Sequence, residues 1–151
     1  MPAGTEWMAT DPNEHARLVT TKNRECDEGF VPFVKMVKGI NREAGEPIEP
    51  SFLIEVMALD LVLLPFGRYS DEIRFFLASA ADRIADDWSD PAGIGPDVNG
   101  RIPSRRRSEL AGIVTGWLAA AEEALLLENE GKDRAAVDKW RELFGWRMPR
   151  P

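Results

Sequence analysis

The chain is poor in the residues that most often carry chemistry. Among 151 residues there is one cysteine, Cys26, and one histidine, His15. A lone cysteine forms no intrachain disulfide, and without a Cys/His cluster there is no zinc-type ligand set, so disulfide scaffolds and zinc centres are excluded. No nucleophile motif accompanies His15, which leaves an independent hydrolase-type active site with little support and gives the histidine a surface or interface role. Long apolar runs are also missing. The longest, Phe52 to Phe66, is shorter than a membrane span and contains Glu55 and Asp60, and the first fifteen residues, MPAGTEWMATDPNEH, lack the cationic and apolar regions of a signal peptide. The expectation is a cytoplasmic protein without a membrane partner. Positive charge is in deficit as well: 19 Lys and Arg face 26 Asp and Glu, a formal net charge of −7. Such a chain is a poor binder of long nucleic acid, although a local cationic patch can still hold one small anion.

What is present is helical. Hydrophobic residues make up 44% and charged residues 30% of the chain, the composition of one soluble globular domain with a core. No strand-like alternation of useful length and no internal repeat occurs. Residues 1–10 read as irregular, residues 11–147 as a helical domain and residues 148–151 as a tail. Asp11-Pro12 starts a first helix that runs to about Asn23. Phe30, Phe33, Val34, Val37 and Ile40 recur at helical spacing in a second. After a Gly- and Pro-rich turn, Ser51 is placed to cap a third, central helix over 51–66, apolar nearly all round. Ser70, Asp71 and Glu72 cap a fourth, with Ile73, Phe76, Leu77, Ala80, Ile84 and Trp88 on its face. The stretch 89–103 holds three Pro and three Gly and reads as a long loop. Two more helices follow, from Ser104 to about Asn129 and from Lys132 to Phe144. The predicted architecture is all-α, a bundle of about six helices around the 51–66 helix.

The chemistry-bearing candidates gather near the second and third helices. Lys35, Lys38 and Arg42 share one face of the second helix, a stripe suited to phosphate oxygens that, taken alone, reads as a solvated basic face. Ser51 begins a helix, where free N–H groups and the dipole favour an anion. Glu55 is a charge inside an apolar helix and needs a partner such as lysine, arginine or loop N–H groups; Asp60 is treated alike. Arg105, Arg106 and Arg107 oppose the dipole at the start of their helix, and a solvated role is the default. Trp88, Trp117 and Trp140 are core by spacing, with base stacking conceivable only for Trp7 or Trp146.

VPFVKMVKGINR followed by PSFLIE resembles the lysine helix and the Ser-Phe-x-x-Glu helix in the C-terminal helical domain of the cyclic-oligonucleotide synthases, bacterial relatives of cyclic GMP-AMP synthase and oligoadenylate synthetase. Trp7, Thr10-Asp11-Pro12-x-x-His15 and Asn23 resemble the start of that domain. Asp90-Pro91, Glu128, Ala136, Trp140-Arg141 and Phe144-Gly145 resemble its closing helices. The resemblance implies that Lys38 and Ser51 contact the triphosphate of ATP or GTP, with Lys35 and Arg42 as further phosphate contacts. It also implies that catalysis belongs to a preceding half, with a Gly-Ser turn and metal-binding acids. The chain contains neither a Gly-Ser dipeptide nor Asp-x-Asp. No catalytic residue, no metal ligand and no cofactor is therefore expected here, magnesium being expected only with the missing catalytic domain. The partner would be that domain, a separate catalytic chain or a second copy. The rival expectation is a stand-alone helical interaction or dimerisation module.

Overall fold

The structure, a computed structural model, describes residues 12–93 and 95–145. The expected irregular segments 1–10 and 148–151, the Asp11 cap, and Trp7 and Trp146 lie outside these residues. Six helices follow one another: α1 (Pro12–Glu25), α2 (Phe30–Glu43), α3 (Phe52–Leu61), α4 (Tyr69–Arg83), α5 (Ser104–Asn129) and α6 (Asp133–Phe144). No strand occurs among the described residues, and the all-α reading holds.

The core forms where the apolar stripes converge. Phe30, Phe33, Val37 and Ile40 of α2 are buried with Leu53, Ile54, Met57 and Ala58 of α3. Phe33 is fully buried, its ring edge-on to Phe66 at 6.0 Å and to Phe76 of α4 at 5.6 Å. Burying a side chain of this size stabilises by roughly 1.5–3 kcal/mol, so a few such contacts suffice to fix how α2, α3 and α4 sit together. α4 and α5 pack along their lengths, and α6 folds back over the end of α5, where Trp140 donates its indole N–H to Glu128 at 2.8 Å. α5 has the length and composition of a membrane span, but Leu110, Val114, Trp117, Ala121 and Leu125 are buried against its neighbours and three arginines open it.

The central helix is shorter than expected. It stops at Leu61, because Val62 turns extended (φ −75°, ψ 118°) and the residue before Pro65 is biased away from helix. Lys22 of α1 donates to the Val62 carbonyl at 2.6 Å, satisfying the helix end. Leu63 and Leu64, expected within the helix, are exposed. α4 likewise ends at Arg83, with Ile84 and Trp88 buried beyond it. At the start of α2, Gly29 lies so close to Phe66 that a Cβ would come within 2.7 Å of the ring, and Asn23 accepts the Val31 amide at 2.9 Å.

Candidate functional site

Three helices meet around Glu55. α2 carries Lys38, α3 carries Glu55 one turn after Ser51, and α1 carries His15. The Lys38 ammonium is 3.2 Å from Glu55 Oε1, and His15 Nε2 is 3.5 Å from Glu55 Oε2. All three are partly buried, with side-chain exposures of 30%, 26% and 16% for Lys38, Glu55 and His15. The imidazole leans on Phe52, ring centroids 4.7 Å apart. Both its nitrogens are buried and make no hydrogen bond among the described residues. Glu55 thus has a lysine partner of the kind its position demands, and a histidine that the pattern did not indicate. Asp60 differs: it is exposed and pairs with Arg83 at 3.1 Å.

Lys35 and Arg42, at i−3 and i+4 from Lys38, are exposed and form no ion pair among the described residues. Three cations therefore stand on one face of α2 against the single Glu55 carboxylate, in a chain whose net charge is −7. Ser51 stands at the first turn of α3, exposed, but it does not cap. Its own backbone is helical (φ −64°, ψ −19°), whereas a capping hydroxyl needs the extended conformation to reach back to the N2 or N3 amide. The Leu53 and Ile54 amides go instead to the carbonyls of Pro50 and Ser51, at 3.1 and 2.9 Å. The Ser51 hydroxyl and the amides of Ser51 and Phe52 have no acceptor among the described residues, which leaves donors at the positive end of a helix.

Asn41 holds this arrangement in place. It is 1% exposed and bonds Ile48 twice, Nδ2 to the carbonyl and Oδ1 from the amide, both at 2.9 Å. The two bonds pin the turn through Gly45 (φ 87°) and Glu46 (φ 58°), which sets where α3 begins. Asn41 was missed by pattern reading. Its signal was a polar residue at the core position one turn beyond Val37.

The arginine run divides. Arg105 is 93% exposed and Arg106 pairs with Glu109 at 3.0 Å. Arg107, expected to be solvated, is enclosed: it donates to the carbonyls of Ile102 (2.9 Å), Ala85 (3.2 Å) and Asn99 (2.6 Å) and to Asp87 (2.7 Å). Buried Asn99 receives the Trp88 amide at 2.9 Å and donates to the Asp86 carbonyl at 2.7 Å. The arginine answers loop carbonyls, which explains its place at a helix start. An open groove of about 530 Å³ lies beside α1 and α3, lined by Leu18, Lys22, Val56, Leu59, Asp60 and Trp88. None of Lys35, Lys38, Arg42 or Ser51 lines it.

The acids do not suit a divalent metal. Among the described residues Glu55 is the one carboxylate in contact with Lys38 and His15, and no group of three or more His, Cys, Asp or Glu is placed to hold an ion. What the site offers an anion is cations, helix-end N–H groups and a hydroxyl.

No protein-family model matches the chain. Two curated proteins are similar to it. A probable cyclic nucleotide synthase of Bacillus cereus is 24% identical over 152 residues, covering 99% of this chain and 45% of that protein. A cyclic AMP-AMP-AMP synthase of an Acinetobacter species is 24% identical over 155 residues, covering 96% of this chain and 44% of that protein. The chain spans under half the length of these relatives, and its distant kinship is with cyclic nucleotide synthases.

Proposed function

We propose that this chain is the helical nucleotide-binding region of a nucleotidyltransferase that makes cyclic or linear oligonucleotide signals, the chemistry of anti-phage defence, and that it is not catalytic alone. Lys38 and Ser51 hold the triphosphate of ATP or GTP, and Lys35 and Arg42 add positive charge to its approach. The acids and magnesium needed for nucleotidyl transfer come from a catalytic domain or chain. The observation that carries this reading is a cationic face on α2, where Lys35 and Arg42 form no ion pair among the described residues, set beside the uncapped start of α3 by the contact of Lys38 with Glu55. Charge-assisted bonds to phosphate are among the strong ones, and helix-end amides add a preformed anion contact. Kinship with two cyclic nucleotide synthases supports the same reading.

The test is calorimetric titration of the chain with ATP and with GTP, each with and without magnesium, beside the double variant Lys38→Ala, Ser51→Ala. Binding that disappears in the folded variant is the expected result. Binding unchanged by the variant would overturn the assignment.

The second reading, a protein-interaction or dimerisation module, is favoured by apolar side chains left in solvent: Leu63 at 58% exposure, Leu64 at 48% and Leu126 at 57%. Self-association without any response to nucleotide is the outcome it requires.

A further inference from the structure

We infer that His15 and Glu55 act as a proton-linked gate on Lys38, so that binding of a triphosphate draws a proton from solvent onto His15. The inference rests on the triphosphate reading above and adds a positioning role for a residue outside the proposed phosphate contacts.

As the chain stands, Lys38 is already paired. Its ammonium lies 3.2 Å from Glu55 Oε1, so a phosphate must take the lysine from a carboxylate that would then be left partly buried without compensation. The carboxylate therefore competes with the phosphate for the lysine, a modest effect at this degree of exposure. The other oxygen of Glu55 already faces His15 Nε2 at 3.5 Å, and neither imidazole nitrogen has a hydrogen-bond partner among the described residues. A neutral imidazole so placed is poorly satisfied; a protonated one supplies both the N–H and the charge that Glu55 requires once Lys38 leaves. Phe52 holds the ring against α3, so the exchange needs only the lysine stem to swing and a proton to arrive.

The surrounding charges leave this exchange to His15. On α1 itself, Glu14 and Arg17 are bound to each other at 2.9 Å, and Lys22 is held by the Val62 carbonyl at 2.6 Å. From α2 the charge in contact with Glu55 is Lys38, with Lys35 and Arg42 exposed on the same face; from α3 it is Glu55. Histidine is the side-chain type that exchanges a proton most readily near neutral pH, which makes it the member of this cluster suited to answer the departure of Lys38.

By linkage, a site that gains a proton on binding must bind more weakly as pH rises. The test is calorimetric titration of the full chain with magnesium-ATP in two buffers of different ionisation enthalpy, repeated across pH, on wild type, His15→Gln and Glu55→Gln. Protonation of the nucleotide itself is common to all three and subtracts out. Wild type should take up about one proton more per nucleotide than His15→Gln, and lose roughly threefold to tenfold more affinity between about pH 6.5 and about pH 8. Glu55→Gln, in which no carboxylate competes for Lys38, should bind roughly fivefold more tightly and show no excess proton uptake, a comparison that stands even if His15→Gln fails to fold. Equal proton uptake in wild type and Glu55→Gln would overturn the gate alone. No binding by wild type at millimolar magnesium-ATP would overturn the triphosphate reading and the gate with it.

Discussion

Arg107, in the first turn of α5, and Lys38, in the second half of α2, are both cations packed against another element, and they stand in opposite circumstances. Arg107 uses its guanidinium on three carbonyls and one carboxylate, so that residues 85–103 are fastened to the start of α5. Among the described residues Lys38 makes one ion pair, to Glu55, with two cations unpaired on the same face and an uncapped helix start one turn before Glu55. A fork with several donors in a fixed plane suits permanent crosslinking of loop carbonyls, whereas a single ammonium on a flexible stem suits exchange between partners. Positive charge alone therefore does not mark a ligand site; unmet capacity does. The Arg107 region is structural, and under the proposed function the Glu55 corner is the part that binds.

The sharpest way to break this comparison is to remove the structural cation. Arg107→Ala leaves several carbonyls without their donor and should destabilise by about 2–4 kcal/mol in urea unfolding, with nucleotide affinity unchanged while the chain is folded. A neutral effect on stability would mean that the loop is fastened by other contacts. Next comes Asn41→Ala, which strands the Ile48 amide and carbonyl in a buried turn. A loss of about 2 kcal/mol is expected, here accompanied by weaker nucleotide binding because the start of α3 shifts. Unchanged affinity would detach the turn from the site. Lys38→Ala should reverse the pattern, lowering ATP affinity roughly tenfold or more while changing stability by about 1 kcal/mol or less, as partly exposed ion pairs do. The smallest effect should come from Arg42→Gln, about twofold to threefold in affinity and steeply dependent on salt.

Cys26 provides a probe between the two regions. It is 2% exposed at the junction of α1 and α2, and burial pushes its thiol above the ordinary cysteine range. The folded state therefore favours the neutral thiol, a contribution present below the unfolded-state value and lost as pH rises through the folded one. Near pH 8 a thiol reagent should label Cys26 slowly in the native chain and rapidly in urea. Arg107→Ala should accelerate labelling and Lys38→Ala should not; equal acceleration would remove the distinction between the two regions.

Helix existence and order were legible because the apolar residues keep a 3.6-residue period through α2, α4 and α5. The end of α3 was not, since Val62, Leu63 and Leu64 continue an apolar run that the backbone abandons ahead of Pro65. The need of Glu55 for a partner was legible from a charge amid Leu53, Ile54, Val56 and Met57. That His15 joins it was not, because the contact spans forty positions and depends on how α1 crosses α3. Asn41 carried a readable signal as a polar residue on a core stripe. Asn99 carried none, lying in a stretch without periodicity where polar residues are ordinary. The cationic stripe was visible from spacing alone, but its availability depends on what the other helices leave unpaired. The same limit hid the enclosure of Arg107.

The central claim is that binding capacity lies where α2 meets the start of α3 and not at the arginines of α5. The most direct measurement is backbone amide NMR of the ¹⁵N-labelled chain during addition of magnesium-ATP. Amides of Lys38, Arg42, Ser51 and Phe52 should move in a saturable way while those of Asn99 and Arg105 to Arg107 stay in place. Saturable shifts confined to the α5 start, or none at millimolar nucleotide in a folded chain, would contradict the account.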